Sequence, residues 1–271
     1  MNKEHNLEEK AKEIRRLTVK AIGGLGVGHI GGALSIADLL AVLYFDKMHV
    51  DEKNPKMPGR DRLVLSKGHA GPALYAALAA RGFFPVEWLD TLNKPETRLP
   101  SHCDMLRTPG IDMTAGSLGQ GISCAVGIAK AAKICGGEET VYAVVGDGEC
   151  QEGLVWEAAM AAAHFGLDNL VVFIDCNSMQ IDGTTGEVMS LGDFAVKFKA
   201  FGFDTQDVDG HNVREISEAI EHCRMAKGKP HAVVLHTTKG KGASFAEKAG
   251  IGSHNMPVST QQMEEALREL Q

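Results

Sequence analysis

Asp147 lies between Gly146 and Gly148 at the end of an apolar run, and Asn177 follows a second apolar run through Asp175 and Cys176. A carboxylate and an amide oxygen are hard donors, too few for an all-protein cation cage. Magnesium, however, commonly takes one or two protein oxygens and fills its octahedron with phosphate oxygens and water. A backbone carbonyl just after Asn177, such as that of Met179, would add a third. The glycines let a phosphate approach the backbone. A helix starting nearby would add N–H donors and the positive end of its dipole. The chemistry expected of this pair is a metal-assisted grip on a diphosphate.

Such a grip requires elements that bring the two residues together. Val141–Val145 reads as a strand, 152–165 as a helix and Leu170–Ile174 as a second strand, which makes a βαβ unit. Asp147 and Asn177 then converge at the carboxyl edge, where open α/β sheets bind ligands. Leu7, Ile14, Leu17 and Ile22 recur at near-helical spacing, predicting a helix over 7–22. Gly23 to Gly32 reads as a glycine-rich loop. Ser35-Ile36-Ala37-Asp38 reads as a capping box opening a helix over 36–45. Further along, a strand is expected at 62–66, a helix at about 72–81, and an irregular stretch over 85–114. That stretch is long for a bare loop, which suggests function. A small-residue helix follows at 117–133. Strands are expected near 203–208 and at 231–237, with helices at 212–226 and 259–270. No repeat or low-complexity linker interrupts the chain. The expectation is a single α/β domain over 1–271, with a mostly parallel sheet and helices on both faces.

The formal net charge is −7, which argues against nucleic acid as the main partner, since phosphate binding needs a basic face. None of the six cysteines is at C-x-x-C spacing, so neither a zinc site nor a redox pair is suggested. Scattered thiols fit a reducing compartment. The amino-terminal stretch MNKEHNLEEKAKEIRR is charged and shows no secretory signal. No apolar run is long enough to span a membrane. A soluble, cytoplasmic protein is expected.

Several further motifs stand in a defined order: Gly28-His29-Ile30-Gly31-Gly32, Ser66-Lys67-Gly68-His69, Ser101-His102, and Gly116-Ser117-Leu118-Gly119-Gln120-Gly121. After them come Gly146-Asp147-Gly148-Glu149-Cys150-Gln151-Glu152-Gly153, Asp175-Cys176-Asn177, Asp182-Gly183, Thr237-Thr238-Lys239-Gly240-Lys241-Gly242 and Ser253-His254. In this order the chain resembles the cofactor-diphosphate-binding amino-terminal half of transketolase along essentially its whole length. The resemblance implies the thiamine-diphosphate-binding fold and thiamine diphosphate held through magnesium, with calcium or manganese able to substitute. It implies that Asp147, Asn177 and the Met179 carbonyl hold the metal. Gly148, Glu149, His69 and His254 would lie on the diphosphate side, and Gly116, Ser117 and Leu118 along the ring system. His29, His69, His102 and His254 would face the reacting carbons and sugar hydroxyls. Glu152 and Glu157 match the family's subunit-interface carboxylates, and Glu152 is counted with the catalytic set.

The implied reaction moves a two-carbon ketol unit from a ketose, or ketose phosphate, to an aldose. The cofactor is the electron sink, and histidine exchanges protons near neutral pH. Two departures from the family stand out. Ile30 replaces the usual proline after the histidine. The chain ends at Gln271, where a full-length transketolase continues into a pyrimidine-binding domain that supplies the activating glutamate. The resemblance therefore implies a partner subunit carrying that domain, in an α2β2 complex. Other readings remain open on sequence. The Asp147–Asn177 pair is shared with deoxyxylulose-phosphate synthase and with the α subunit of 2-oxoacid dehydrogenases, and a non-catalytic cofactor-binding homologue is compatible. Gly24-Leu25-Gly26-Val27-Gly28 hints at nicotinamide binding but follows a helix rather than a strand, a weak match. His5, His49, His164, His211, His222, His231 and His236 read as structural.

Overall fold

The computed structural model describes residues 3–271, so the first two residues of the charged amino-terminal stretch lie outside the described residues. Five strands form the main sheet: β2 (Arg62–Leu65), β3 (Val141–Gly146), β4 (Leu170–Cys176), β7 (Asp204–Asp209) and β8 (His231–His236). They run parallel in the order β2-β3-β4-β8-β7. Near-continuous apolar runs such as Val141–Val145 belong in a parallel sheet because both faces are covered. Alternate residues divide between two cores. Tyr142, Val144, Val171 and Phe173 join one, while Val141, Ala143, Val145 and Val172 join the other.

The first core lies under α1 (Lys3–Leu25), α2 (Ile30–Leu34), α3 (Ala37–Val42), α4 (Gly71–Arg81) and α9 (Val213–Met225). The second lies under α5 (Gln120–Ile134), α6 (Gly153–His164) and α8 (Phe194–Ala200). This is the expected α/β arrangement with helices on both faces. Shorter pieces complete it. β1 (Val27–Gly28) pairs antiparallel with β9 (Met256–Pro257), and β5 (Met179–Gln180) with β6 (Gly183–Thr184). The remaining helices are α7 (Thr185–Met189), α10 (Ser244–Ala249) and α11 (Thr260–Glu269). Among the described residues, no helix is long and apolar enough to cross a membrane.

Three local expectations need correction. The glycine-rich segment 23–32 is not one loop, because α1 continues through Gly23 and Gly24 to Leu25 and α2 begins at Ile30. Packing overrides the glycine penalty there, with Ile22 fully buried. Ser35 is no N-cap; its hydroxyl donates to Asp175 at 2.8 Å, deep under the sheet edge. The helix expected over 36–45 is α3 followed by a wider π-type turn over Leu43–Lys47. Ile30, in place of proline, opens α2 with its side chain fully buried, so it acts as a core residue.

Candidate active site: a cleft at the carboxyl edge of the sheet

The segments leaving the carboxyl ends of β2, β3, β4 and β8 meet in a cleft of about 310 Å³. Because β3 and β4 run in register, with Gly146 opposite Asp175, Asp147 and Asn177 leave the sheet side by side. Asp147 is buried, and its two oxygens accept N–H groups from Gly148 and Ser178. Ser178 takes a φ of 61°, rare outside glycine, and in that conformation its N–H points at Asp147. Burial, and then the neighbouring Asp175, push the Asp147 carboxyl up to about 6, against the pull of those two N–H groups. A bound divalent cation would reverse that shift.

The Asn177 side-chain oxygen accepts the Met179 N–H at 3.2 Å, and its amide donates to Asp175 at 3.1 Å. The Met179 carbonyl accepts Lys239 Nζ at 3.2 Å. Among the described residues, no group of three or more His, Cys, Asp or Glu side chains could hold a metal by itself. One buried carboxylate, one amide oxygen and one carbonyl fit a small hard cation that takes its other ligands from a phosphate and water.

The opposite wall is built from histidines. His29 stands at the N-cap of α2, His69 in the turn after β2, His102 in the irregular segment and His254 in a late 3-10 turn. Ring centroids lie 5.5 Å apart for His29–His69, 5.6 Å for His29–His102, 5.4 Å for His29–His254 and 4.8 Å for His69–His254. Burial lowers the basicity of all four, His69 well below the usual value and His254 to about 4. Neutral at pH 7, each ring keeps one donor and one acceptor nitrogen. Such a set can bind hydroxyls and move protons.

Three charged residues given no role at the sequence level support the cleft. Lys67 and Asp175 form an ion pair closed to solvent, and Asp175 also accepts from Ser35, Thr237 and Asn177. Burial would raise the Asp175 carboxyl, but the Lys67 charge and these hydrogen bonds outweigh it and hold it below its usual range. Lys239 lines the cleft, and burial followed by the Lys67 charge brings its ammonium down to about 8. With Lys67 held by Asp175, the Lys239 ammonium is the charge placed to favour an anion in the cleft. The available signal was a lysine inside each of two motifs at strand ends, Ser66-Lys67-Gly68-His69 and Thr237-Thr238-Lys239-Gly240.

The other expected residues separate. Gly116, Leu118, Gly148 and Glu149 line the cleft, whereas Ser117 lines an adjoining pocket beside Cys124. Glu149 is buried and committed to the protein. It accepts the Ser66 hydroxyl, the Gly119 N–H at 2.9 Å and the Gly146 N–H at 3.0 Å. Glu152 is the exposed N-cap residue of α6 and lies outside the cleft lining. Glu157 is exposed on the same helix, between exposed Leu154 and Met160.

A parallel sheet that gathers a buried aspartate, an asparagine, two lysines and four histidines at its carboxyl edge defines an α/β protein with a polar cleft at the strand ends. The model for "Transketolase, thiamine diphosphate binding domain" matches residues 7–270. The chain belongs to the transketolase family. It is 55% identical to a 6-deoxy-6-sulfo-D-fructose transketolase subunit of Clostridium sp. (strain MSTE9), over 98% of this chain and 96% of that one. It is 42% identical to an apulose-4-phosphate transketolase subunit of Phocaeicola vulgatus, over 97% and 93% respectively. The transketolase structure of Campylobacter jejuni superposes with a TM-score of 0.92 at 32% identity, covering 100% of this chain and 43% of that one. The chain thus spans about two fifths of that solved transketolase.

Proposed function

We propose that this chain is the diphosphate-binding subunit of a two-chain transketolase, folded as one domain over 1–271. The observation that carries the reading is the meeting of four histidine rings with the Asp147–Asn177 pair and two lysines in one cleft. Asp147, Asn177 and the Met179 carbonyl would hold magnesium, with calcium or manganese able to substitute. Gly148, His69 and His254 would face the diphosphate, with Glu149 holding the wall behind it. Gly116, Leu118 and, from the adjoining pocket, Ser117 would flank the ring system. When bound, thiamine diphosphate supplies the electron sink for cleavage beside a ketose carbonyl. His29, His69, His102 and His254 bind the sugar hydroxyls and carry protons to and from its oxygens.

The relatives named as subunits, which match this chain nearly end to end, support a partner carrying the pyrimidine-binding domain and the activating glutamate. An α2β2 complex in the cytoplasm is the proposed form. Glu152, Glu157 and the exposed apolar residues Leu154 and Met160 of α6 offer a face for its interfaces. The donor proposed is a ketose with an anionic group remote from its carbonyl, as in 6-deoxy-6-sulfo-D-fructose or a ketose phosphate.

The test is to assemble the chain with its partner and measure two-carbon transfer from 6-deoxy-6-sulfo-D-fructose and from ketose phosphates. Transfer should need both thiamine diphosphate and a divalent ion, and Asp147→Ala should lose metal-dependent cofactor binding. Robust transfer by this chain alone would remove the partner. Decarboxylation of 2-oxoacids without ketol transfer would replace the reaction.

A further inference from the structure

His211 follows the carboxyl end of β7 and is absent from the cleft lining. Its Nδ1 lies 2.8 Å from Asp38 Oδ2, and its Nε2 accepts the backbone N–H of Thr238 at 2.8 Å. A backbone N–H can only donate, so Nε2 must be unprotonated, and Nδ1 therefore carries the proton and donates to Asp38. The ring is fixed in one tautomer by two partners. Asp38 in turn is a buried carboxylate gripped by both terminal nitrogens of Arg15, which sits at 6% exposure in α1. Four elements are tied in series: α1 through Arg15, α3 through Asp38, the β7–α9 turn through His211, and the segment after β8 through Thr238.

The residue after Thr238 is Lys239, whose ammonium reaches the Met179 carbonyl. The backbone on either side is pinned separately. The Thr237 N–H donates to the Cys176 carbonyl at 3.1 Å, and the Gly240 N–H to the Gly31 carbonyl at 2.9 Å. The Thr238 N–H is not taken by the sheet; a side chain accepts it. The Thr238 carbonyl closes a turn with the Lys241 N–H at 3.2 Å, so between the two pinned flanks the Lys239 backbone is held by that turn and by the His211 imidazole nitrogen together.

We infer that His211 is a positioning residue of the cleft: it holds Thr238 so that Lys239 points its ammonium into the cleft, at the Met179 carbonyl. The inference rests on the proposed cofactor reading for its consequence, but the link from His211 to Thr238 stands independently of it.

Two substitutions separate the two ends of the imidazole. His211→Gln keeps an acceptor near the Nε2 position for Thr238. His211→Asn keeps a donor near Nδ1 for Asp38 but withdraws the acceptor from Thr238. Hydrogen exchange on the full chain, without cofactor, should show the Thr238 amide losing protection about 10-fold or more in His211→Asn and keeping it in His211→Gln. Equal protection in the two variants would overturn the inference, whatever the cofactor proves to be. In the complex assembled with its partner, His211→Asn should weaken thiamine diphosphate binding about 10-fold, with a smaller fall in kcat at saturating cofactor. In a Lys239→Met background the same substitution should cost less than about 2-fold, because its effect passes through Lys239. A full additive loss there would make His211 merely structural. Wild-type protein that binds no thiamine diphosphate would overturn the cofactor reading and leave the exchange result to decide the link.

Discussion

Lys239 Nζ lies 3.2 Å from the Met179 carbonyl oxygen, so a lysine charge already stands beside a proposed metal ligand. A divalent ion arriving there meets a like charge, whereas an incoming diphosphate relieves it. Lys239→Met should therefore strengthen binding of manganese alone by about 3- to 10-fold and weaken thiamine diphosphate by about 10-fold. Calorimetric titrations of each, separately, provide the check. A variant that weakens both equally would mean that Lys239 only braces the cleft.

Lys67 compensates a carboxylate that water cannot reach. Removing it leaves Asp175 with hydroxyl and amide donors only. Breaking one side of such a buried pair costs about 3–5 kcal/mol. Lys67→Met should lower the urea midpoint accordingly, and adding Asp175→Asn should recover part of the loss. No recovery in the double variant would show that the damage is to packing rather than to charge.

The histidine wall sets a pH dependence. In the folded chain His254 binds its proton near pH 4, against 6.5 for the unfolded group. Between those values the unfolded chain binds a proton that the native one refuses, so stability rises with pH across the window and is lost as pH falls. His29, His69 and His102 act in the same direction. Asp147 opposes them, since its raised carboxyl holds a proton in the native state up to about pH 6. Four histidines against two carboxyls, Asp147 and the Glu149 carboxyl that burial likewise raises, should leave a net gain on going from about pH 4 to 6.5. Urea midpoints across that range measure it, and His254→Gln should flatten the slope. A slope of opposite sign would assign control to the two raised carboxyls, Asp147 and Glu149.

His29 packs against the three other rings, with centroids 5.4 to 5.6 Å away. His29→Ala should lower turnover about 100-fold, a size typical of a lost proton-transfer group. Its effect on cofactor affinity should be much smaller. Abolished cofactor binding would place His29 on the diphosphate side instead.

The parts of this cleft that were legible in the sequence are those written in local pattern. Apolar runs ending in Gly146-Asp147 and in Asp175-Cys176-Asn177 placed two residues at one sheet edge, because strand length and direction follow from local periodicity. The four histidines entered through ordered motifs, and the cleft brings them together. What stayed hidden depends on long-range closure. Lys67 meets Asp175 across 108 positions and Ser35 meets Asp175 across 140, with no periodicity linking either pair. Ser35 looked like a helix cap because three residues of spacing cannot reveal a buried carboxylate nearby. Glu152 shares its motif with Asp147, yet it stands exposed at the start of α6 while Asp147 turns inward.

Glu149 shows how far positioning outweighs contact in this cleft. Oε1 takes the Ser66 hydroxyl and the Gly119 N–H, and Oε2 takes the Gly146 N–H. The Ser66 oxygen also accepts the Ile122 N–H at 3.1 Å, so one carboxylate ties the ends of β2 and β3 to the start of α5. Gly119 has a φ of 78°, and a Cβ there would meet Glu152 Cβ at 2.9 Å, leaving that loop little room to shift. In Glu149→Gln, the amide nitrogen must face either Gly146 or Gly119, and whichever it faces loses its acceptor. One stranded buried N–H costs about 1–3 kcal/mol. The variant should therefore lose stability by that amount in urea. Amide exchange at one of the two glycines should rise while the other stays protected. Thiamine diphosphate affinity should fall through the displaced 116–119 loop, with manganese affinity little changed. If manganese binding fell as much as cofactor binding, Glu149 would belong to the metal's surroundings rather than to the frame that holds the loop.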